Sequence, residues 1–240
     1  MTTIGNNLQQ VLRRIAQACD AAGRDPASVQ LLAVSKTFDA DAVRQAAHAG
    51  HRAFGENYIQ EGVAKIAALQ DDAPPWAPPL QWHCIGPVQS NKTRQVAEHF
   101  DWVHTVDREK TAQRLSDQRP AALAPLDICI QVNVDGGATK AGVSPGEALA
   151  LARAVARLPR LRLRGLMSIP DVVPDFAAQH AVHSAAKALF DQIRREGGEG
   201  FEAFDTLSLG MTADLEAAIH AGSTLVRVGT GIFGGRPAAA

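Results

Sequence analysis

Residues 205–234 read DTLSLGMTADLEAAIHAGSTLVRVGTGIFG. The stretch begins with an apolar run around Leu207, continues with helical spacing from Thr212 to Ala221, and returns to an apolar run over residues 224–228. A strand, a helix and a second strand in this order form a βαβ unit, whose two strands pair in parallel. The number of such units along the chain decides between a closed barrel and an open sheet.

The same alternation of short apolar runs and longer Ala-rich segments extends back to about residue 30. It predicts eight strands, over residues 31–35, 52–55, 81–85, 102–106, 127–134, 161–169, 205–209 and 224–228. Helices are expected between them, and an extra N-terminal helix over about residues 6–22 is expected to cover one end. Eight units in 240 residues favour an α/β protein with a single (β/α)8 TIM barrel. We expect one domain over residues 1–240, because the alternation resumes beyond the Pro-rich segment 71–80.

The near-equal numbers of basic and acidic residues argue against some classes of binding partner. The chain carries 24 Lys and Arg against 25 Asp and Glu, a formal net charge of −1. Nucleic-acid-binding modules and membrane-surface proteins usually carry a basic excess, so neither nucleic acid nor membrane is expected as a partner. The N-terminus lacks a secretory signal pattern, and prolines interrupt the longest uncharged run, residues 73–91. Three widely separated cysteines without a C-x-x-C pair indicate a reducing compartment, and we expect a cytoplasmic protein.

Lys36 is the lysine that directly closes a predicted strand. In TIM barrels the functional groups lie at the C-terminal ends of the strands. A lysine in the barrel mouth is partly desolvated, which lowers its pKa and makes the neutral amine available for a Schiff base with a carbonyl or pyridoxal phosphate. By position alone, a surface lysine is an equally good interpretation.

The loops after strands seven and eight are rich in glycine and hydroxyl groups. Barrels of this type frequently bind phosphate there through backbone N–H groups. Glycine and serine are also common in ordinary turns, but two such loops in the expected places favour a phosphate site. Gly229 to Gly234 also spells G-x-G-x-x-G, yet only six residues follow Gly234, so no βαβ unit with an acidic residue about 20 positions on can complete a dinucleotide site. The residues concerned are Ser208, Gly210, Met211, Thr212, Gly229, Thr230 and Gly231.

Histidine patterns predict no metal site. His180 and His183 are three residues apart on a predicted helix, without acidic or Cys partners at ligand spacing, and a solvated helix face is the expected explanation. His83 and Cys84 are adjacent on a predicted strand and therefore point to opposite faces, which excludes a nucleophile pair.

Several ordered strings carry a resemblance to a known family. They are AVSKT at 33–37, FGENYxQE at 54–61, WHxIGxxQSNK at 82–92, GLM at 165–167, SxGMxxD at 208–214 and VRxGTxIFG at 226–234. In these strings the sequence resembles the pyridoxal phosphate homeostasis proteins, also called the YggS or proline synthetase co-transcribed family. The barrel of that family is similar to the N-terminal domain of alanine racemase.

The resemblance implies a cofactor and its ligands. Lys36 would hold pyridoxal 5′-phosphate (PLP) covalently as an internal aldimine, Asn57 would lie beside the cofactor, and Arg227 would face the pyridine nitrogen. A permanently charged guanidinium disfavours protonation of that nitrogen, which discourages carbanion chemistry. The phosphate would be cradled, largely by backbone N–H groups, by Ser208, Met211, Thr212, Gly229 and Thr230.

The function implied is maintenance of intracellular PLP: a monomer that holds PLP and delivers it to apo-enzymes by transient contact, without turnover of its own. The alternative is a PLP-dependent racemase or related enzyme. Two-base racemisation needs a second acid/base, which in alanine racemase is a tyrosine from a separate β domain. The few residues after Gly234 leave no room for that domain, and Tyr58, the sole tyrosine, does not occupy the equivalent position. A class I aldolase using Lys36 shares the barrel, but the phosphate loops and Arg227 fit PLP better.

Overall fold

Eight parallel strands form a closed barrel. The structure, a computed structural model, describes residues 2–70, 78–137, 140–171 and 173–235, so most of the Pro-rich segment 71–80 lies outside the described residues. Neighbouring strands follow chain order, and β8 pairs with β1 to close the barrel, which confirms the predicted fold class. The strands are β1 (Gln30–Val34), β2 (Ala53–Glu56), β3 (Gln81–Cys84), β4 (Trp102–Val106), β5 (Leu126–Gln131), β6 (Leu161–Met167), β7 (Thr206–Ser208) and β8 (Leu225–Val228).

Helices surround the barrel, and their ends follow from local sequence. The Asp39 side chain accepts a hydrogen bond from the amide of Ala42 at 2.9 Å and caps the N-terminus of the helix after β1. Past the C-terminal end of this helix the chain turns at Gly50, whose φ is +97°. Asp175 caps the long helix after β6 in the same way. The helices are α1 (Thr3–Ala21), α2 (Ala40–His48), α3 (Ile59–Gln70), α4 (Thr93–His99), α5 (Glu109–Gln118), α6 (Pro145–Ala156), α7 (Phe176–Glu196), α8 (Leu215–His220) and α9 (Thr230–Phe233).

The position of α1 corrects the sequence expectation. The helix packs against α2, α8 and α9, so it fills the eighth place in the outer ring instead of covering an end of the barrel. The reason is that only the four-residue α9 follows β8, which leaves a gap between α8 and α2. An apolar face with Leu8, Val11 and Ile15 buries itself in that gap.

Strand alternation separates two layers of buried side chains. On β1, Leu31 and Ala33 belong to the large core between strands and helices, whereas Leu32 and Val34 belong to a separate buried cluster with Ile85. Successive side chains of a strand point to opposite faces, so the second cluster lies inside the barrel. By the same alternation the buried polar side chains of His83, His104 and Arg227 face the interior. No helix in the described parts of the chain is long and apolar enough to cross a membrane.

Candidate functional site

The loops that follow β1 and β8 lie side by side at the C-terminal end of the barrel. In the β1–β8 pairing Ala33 is opposite Val228, and a Cβ built on Gly229 would come within 3.2 Å of the Val34 carbonyl oxygen. Lys36, two residues beyond Val34, is half-buried in the turn after β1. The lysine predicted to bind the cofactor therefore stands at the same seam of the barrel as the glycine-rich loop after β8.

A buried ion-pair cluster anchors the backbone on both sides of Lys36. We call Lys65, Glu56 and Glu61 the Lys65 clamp. Lys65 Nζ donates to the Ser35 carbonyl oxygen at 2.7 Å, to Glu56 Oε1 at 2.7 Å and to Glu61 Oε1 at 2.6 Å. Ser35 Oγ donates to Glu56 Oε1 at 2.6 Å, and the Thr37 amide donates to Glu61 Oε1 at 2.6 Å. The turn carrying Lys36 is thus held at Ser35 and at Thr37.

The same cluster buries charge beside the backbone of the turn that carries Lys36. Glu56 is fully buried, and Lys65 is 5% exposed. Burial raises the pKa of Glu56, while the charge and hydrogen bond of Lys65 act in the opposite direction. Thr37 is held at φ +68°, a left-handed conformation that is costly for a β-branched residue and that the hydrogen bond to Glu61 helps to maintain.

Arg227 places a buried cation below the β8 loop. Its Nη1 donates to the Ser208 carbonyl oxygen at 2.7 Å and to Ser208 Oγ at 2.6 Å, and its Nη2 donates to the Ser168 carbonyl oxygen at 3.0 Å. Among the described residues no carboxylate lies within ion-pair distance of it. Burial lowers the pKa of Arg227 to about 10, so the guanidinium remains charged at neutral pH.

The loops after β7 and β8 meet at two hydroxyl groups. Thr230 Oγ1 and Thr212 Oγ1 are 3.3 Å apart, and both side chains are at least partly exposed. Within the first loop the Met211 amide donates to Asp214 Oδ1 at 2.6 Å. The chain turns at Gly210, with φ +87°, where a Cβ would come within 2.5 Å of the Ala218 Cβ. The backbone amides of Thr212, Gly229 and Thr230 are therefore better candidates for phosphate binding than the amide of Met211, which already has an acceptor.

Two of the remaining predicted site residues take different positions. Asn57 follows β2 and is half-buried beside the β3 loop, where a Cβ on Gly86 would overlap the Asn57 carbonyl oxygen at 2.0 Å. Ser208 is fully buried, and its hydroxyl is directed into the barrel toward Arg227 and His104. The phosphate role of Ser208 stays a prediction that concerns its backbone only.

Sequence reasoning missed several polar residues of this end of the barrel. His183 was expected on a solvated helix face, and this was wrong: it is 1% exposed and its Nε2 lies 2.9 Å from Asp214 Oδ2, because α7 packs against α8. Lys65 carries no sequence signal, because a lysine within a helical segment usually faces solvent. His83 and His104 carried a detectable signal, since strand alternation places both on the inward face.

The residues at these strand ends suit a phosphorylated aromatic aldehyde. An amine stands at the mouth, and two hydroxyls and a glycine-rich loop lie beside it. Below lies a cation that has no carboxylate partner in the described part of the chain. Such a cation can face a ring nitrogen that acts only as an acceptor. The donor set therefore fits PLP with Lys36, Asn57, Thr212, Arg227, Gly229 and Thr230 around it.

Comparison of the sequence with known proteins finds matches over nearly the whole chain. The family model described as alanine racemase, N-terminal domain, matches residues 6–237. The pyridoxal phosphate homeostasis protein of Pseudomonas aeruginosa is 56% identical over 236 residues, which cover 98% of this chain and 97% of the relative. The protein of the same name from Escherichia coli K12 is 50% identical over 236 residues, 98% of each chain.

Solved structures give the same result in three dimensions. PipY of Synechococcus elongatus with PLP bound superposes with a TM-score of 0.80 at 34% identity, over 96% of this chain and 100% of PipY. The alanine racemase of Corynebacterium glutamicum gives a TM-score of 0.65 at 16% identity, over 96% of this chain and 59% of the racemase, and shares the fold.

Proposed function

Because this chain belongs to the family of pyridoxal phosphate homeostasis proteins, we propose that it binds PLP at the C-terminal end of its barrel and maintains the PLP supply of the cell by delivering it to apo-enzymes. The observation that carries the proposal is the seam between β1 and β8. There a half-buried lysine adjoins a glycine-rich loop, above a buried arginine without a carboxylate partner among the described residues. Residence in the cytoplasm, a monomeric state and a single domain over residues 1–240 are parts of the same proposal.

Lys36 is proposed to hold the cofactor covalently. PLP supplies an electrophilic aldehyde carbon. The Lys36 amine would form a C=N bond with that carbon, and the aldehyde oxygen would leave as water. The Lys65 clamp supports this role, because it fixes Ser35 and Thr37 and so limits where the Lys36 side chain can reach.

The remaining predicted ligands divide between the two ends of the cofactor. We propose that Thr212, Gly229 and Thr230, with the backbones of Ser208 and Met211, surround the phosphate, and that Asn57 lies beside the ring. Arg227 is proposed to face the ring nitrogen as a permanent cation, which disfavours protonation there and weakens the ring as an electron sink. This favours storage of the cofactor over turnover, in keeping with relatives that are named homeostasis proteins. We therefore propose a role without catalysis.

Borohydride trapping tests the attachment. Purified protein incubated with PLP and reduced should carry one added pyridoxyl phosphate group, and peptide mass spectrometry should find it on Lys36. Lys36→Ala should lose the covalent label. Lys110→Ala, which removes an exposed lysine on α5, is the matched control and should label like the wild type. A label on another lysine in the unaltered protein would contradict the assignment.

Transfer to an apo-enzyme tests the carrier role. Loaded protein should reactivate a PLP-dependent apo-enzyme at a rate that rises with its concentration, and the Lys36→Ala protein treated in the same way should transfer less. Sustained racemisation of an amino acid by the loaded protein would favour the racemase alternative instead.

A further inference from the structure

A continuous chain of side-chain hydrogen bonds crosses the barrel interior below Arg227. Arg227 Nη1 lies 2.6 Å from Ser208 Oγ, and Ser208 Oγ lies 3.0 Å from His104 Nδ1. His104 Nε2 then lies 2.9 Å from His83 Nδ1, and His83 Nε2 lies 3.0 Å from Gln81 Oε1. We call these five residues the interior chain. It links the candidate cofactor end of the barrel to the beginning of β3 at the opposite end.

The buried surroundings of both histidines in the interior chain favour the neutral form of their rings. Both side chains are fully buried, and among the described residues neither has a carboxylate within ion-pair distance. Burial, together with His104, lowers the pKa of His83 well below its usual value. Burial and then the charge of Arg227 lower the pKa of His104 to about 3. Each ring therefore carries one N–H and one acceptor nitrogen.

The donors and acceptors of the chain allow one direction. The Gln81 oxygen only accepts, so His83 carries its proton on Nε2 and accepts at Nδ1. His104 must then donate from Nε2 and accept at Nδ1, which makes the Ser208 hydroxyl the donor to His104. The opposite direction would make Ser208 an acceptor from both Arg227 and His104, and its own proton would have no acceptor among the described residues.

This direction has a consequence for Arg227. With the hydroxyl proton directed at His104, the lone pairs of Ser208 Oγ face the guanidinium. Every donor of the chain then points away from Arg227, and each bond polarises the next, so the chain stabilises a buried cation without cancelling its charge. Two carbonyl oxygens, of Ser208 and Ser168, complete the surroundings of the guanidinium.

We propose that His104, with His83 behind it, is a positioning residue for the cofactor ring. It orients the Ser208 hydroxyl as an acceptor and thereby fixes Arg227 in the place where it faces the ring nitrogen. The inference deepens the proposed function and rests on it, because it requires PLP to lie above Arg227. It assigns a role to two histidines that lie behind Ser208 and Arg227 in the interior chain.

The direction of the chain is tested without any cofactor. Long-range 1H–15N NMR spectra of the unaltered protein with 15N-labelled histidine report which ring nitrogen carries the proton. His83 and His104 should both be neutral Nε2–H tautomers that do not titrate between about pH 5 and pH 8. An Nδ1–H tautomer at either ring, or titration in that range, would overturn the proposal.

Two substitutions at one position test the positioning role. The side-chain oxygen of Asn lies near the position of His Nδ1, so His104→Asn keeps an acceptor for Ser208, whereas the amide of Gln lies near Nε2, so His104→Gln removes that acceptor. In the Gln variant the Ser208 hydroxyl loses its acceptor and is no longer oriented toward Arg227. This loss should raise the Kd for PLP about tenfold and shift the absorption maximum of bound PLP. The Asn variant should stay close to the wild type. His99→Gln, at an exposed histidine whose Nδ1 contacts the Gln95 carbonyl oxygen of its own helix, is the control and should leave both measurements unchanged.

The outcomes separate the two proposals. If the unaltered protein does not bind PLP, the proposed function fails and the positioning role fails with it. If the unaltered protein binds PLP but both His104 variants keep its Kd and absorption, the positioning role alone is wrong. If neither variant folds, the tautomers of the unaltered protein decide the matter.

Discussion

Replacing Lys65 by methionine should destabilise the protein strongly, because it leaves a buried carboxylate without its cation. Met resembles the Lys stem in length but has no charge. Lys65 Nζ makes three hydrogen bonds of 2.6–2.7 Å, and the loss of each has a different cost. Glu61 keeps the Thr37 amide and is 30% exposed, so water can replace the lysine there. Glu56 is fully buried. Among the residues that the structure describes it keeps only the Ser35 hydroxyl as a hydrogen-bond donor, and its Oε2 has no partner.

The expected loss of stability in Lys65→Met therefore comes mainly from Glu56. Removing one partner of a buried ion pair costs about 3–5 kcal/mol of the free energy of unfolding. With a urea m-value of about 3 kcal/mol/M, the unfolding midpoint should fall by about 1–1.7 M. Adding Glu56→Gln to Lys65→Met removes the uncompensated charge and should recover most of the loss. Glu61→Gln is the control and should change the free energy of unfolding by about 1 kcal/mol or less.

The pH dependence gives a second measure of the same effect. Burial raises the pKa of Glu56, and loss of Lys65 should raise it further. A carboxyl group whose pKa is raised in the folded state binds more protons there than in the unfolded chain, so the variant should gain stability as the pH falls. Its deficit relative to the wild type should be smaller at about pH 5 than at about pH 8. A deficit below about 1 kcal/mol at both values, or no recovery with Glu56→Gln, would refute the reasoning.

Three further predictions concern the loops around the site. Gly86→Ala should cost about 1–3 kcal/mol of the free energy of unfolding, because its Cβ would overlap the Asn57 carbonyl oxygen; Gly146→Ala, where a Cβ meets nothing within 4 Å, should cost nothing in the same urea titration. Thr37→Gly should stabilise the protein by up to about 1 kcal/mol, since glycine tolerates φ +68°, and a clear destabilisation would contradict the strain. For Asp214, burial raises the pKa, but the hydrogen bonds from His183 and the Met211 amide outweigh it and lower the pKa overall. The wild type should therefore be more stable than Asp214→Asn, and unfolding titrations at several pH values should show the full difference above the unfolded pKa of about 4. The difference should vanish as the pH falls through the lowered pKa of Asp214 in the folded state.

The strand bounds show how accurately the hydrophobic periodicity of the sequence predicts this fold. β4 was predicted at its observed bounds, and the other strands overlap their predicted ranges. The apolar run predicted as a strand over residues 127–134 is paired only to Gln131, because Val132 forms an isolated bridge to Val143. The apolar character of a segment does not show where its hydrogen bonds to the neighbouring strand end, because the neighbouring strand determines the last of them.

The barrel, the order of its strands, and the strand ends that carry Lys36, Arg227 and the two glycine-rich loops can be predicted from the amino-acid sequence. These follow from local periodicity, which depends only on neighbouring residues. Long-range packing, in contrast, places α1 in the outer ring, brings Lys65 to the carbonyl of a residue 30 positions away, and brings Ser208 to His104 across 104 positions. The reason is that a buried polar group needs a partner, and the closure and register of the barrel decide which side chain lies within hydrogen-bond distance.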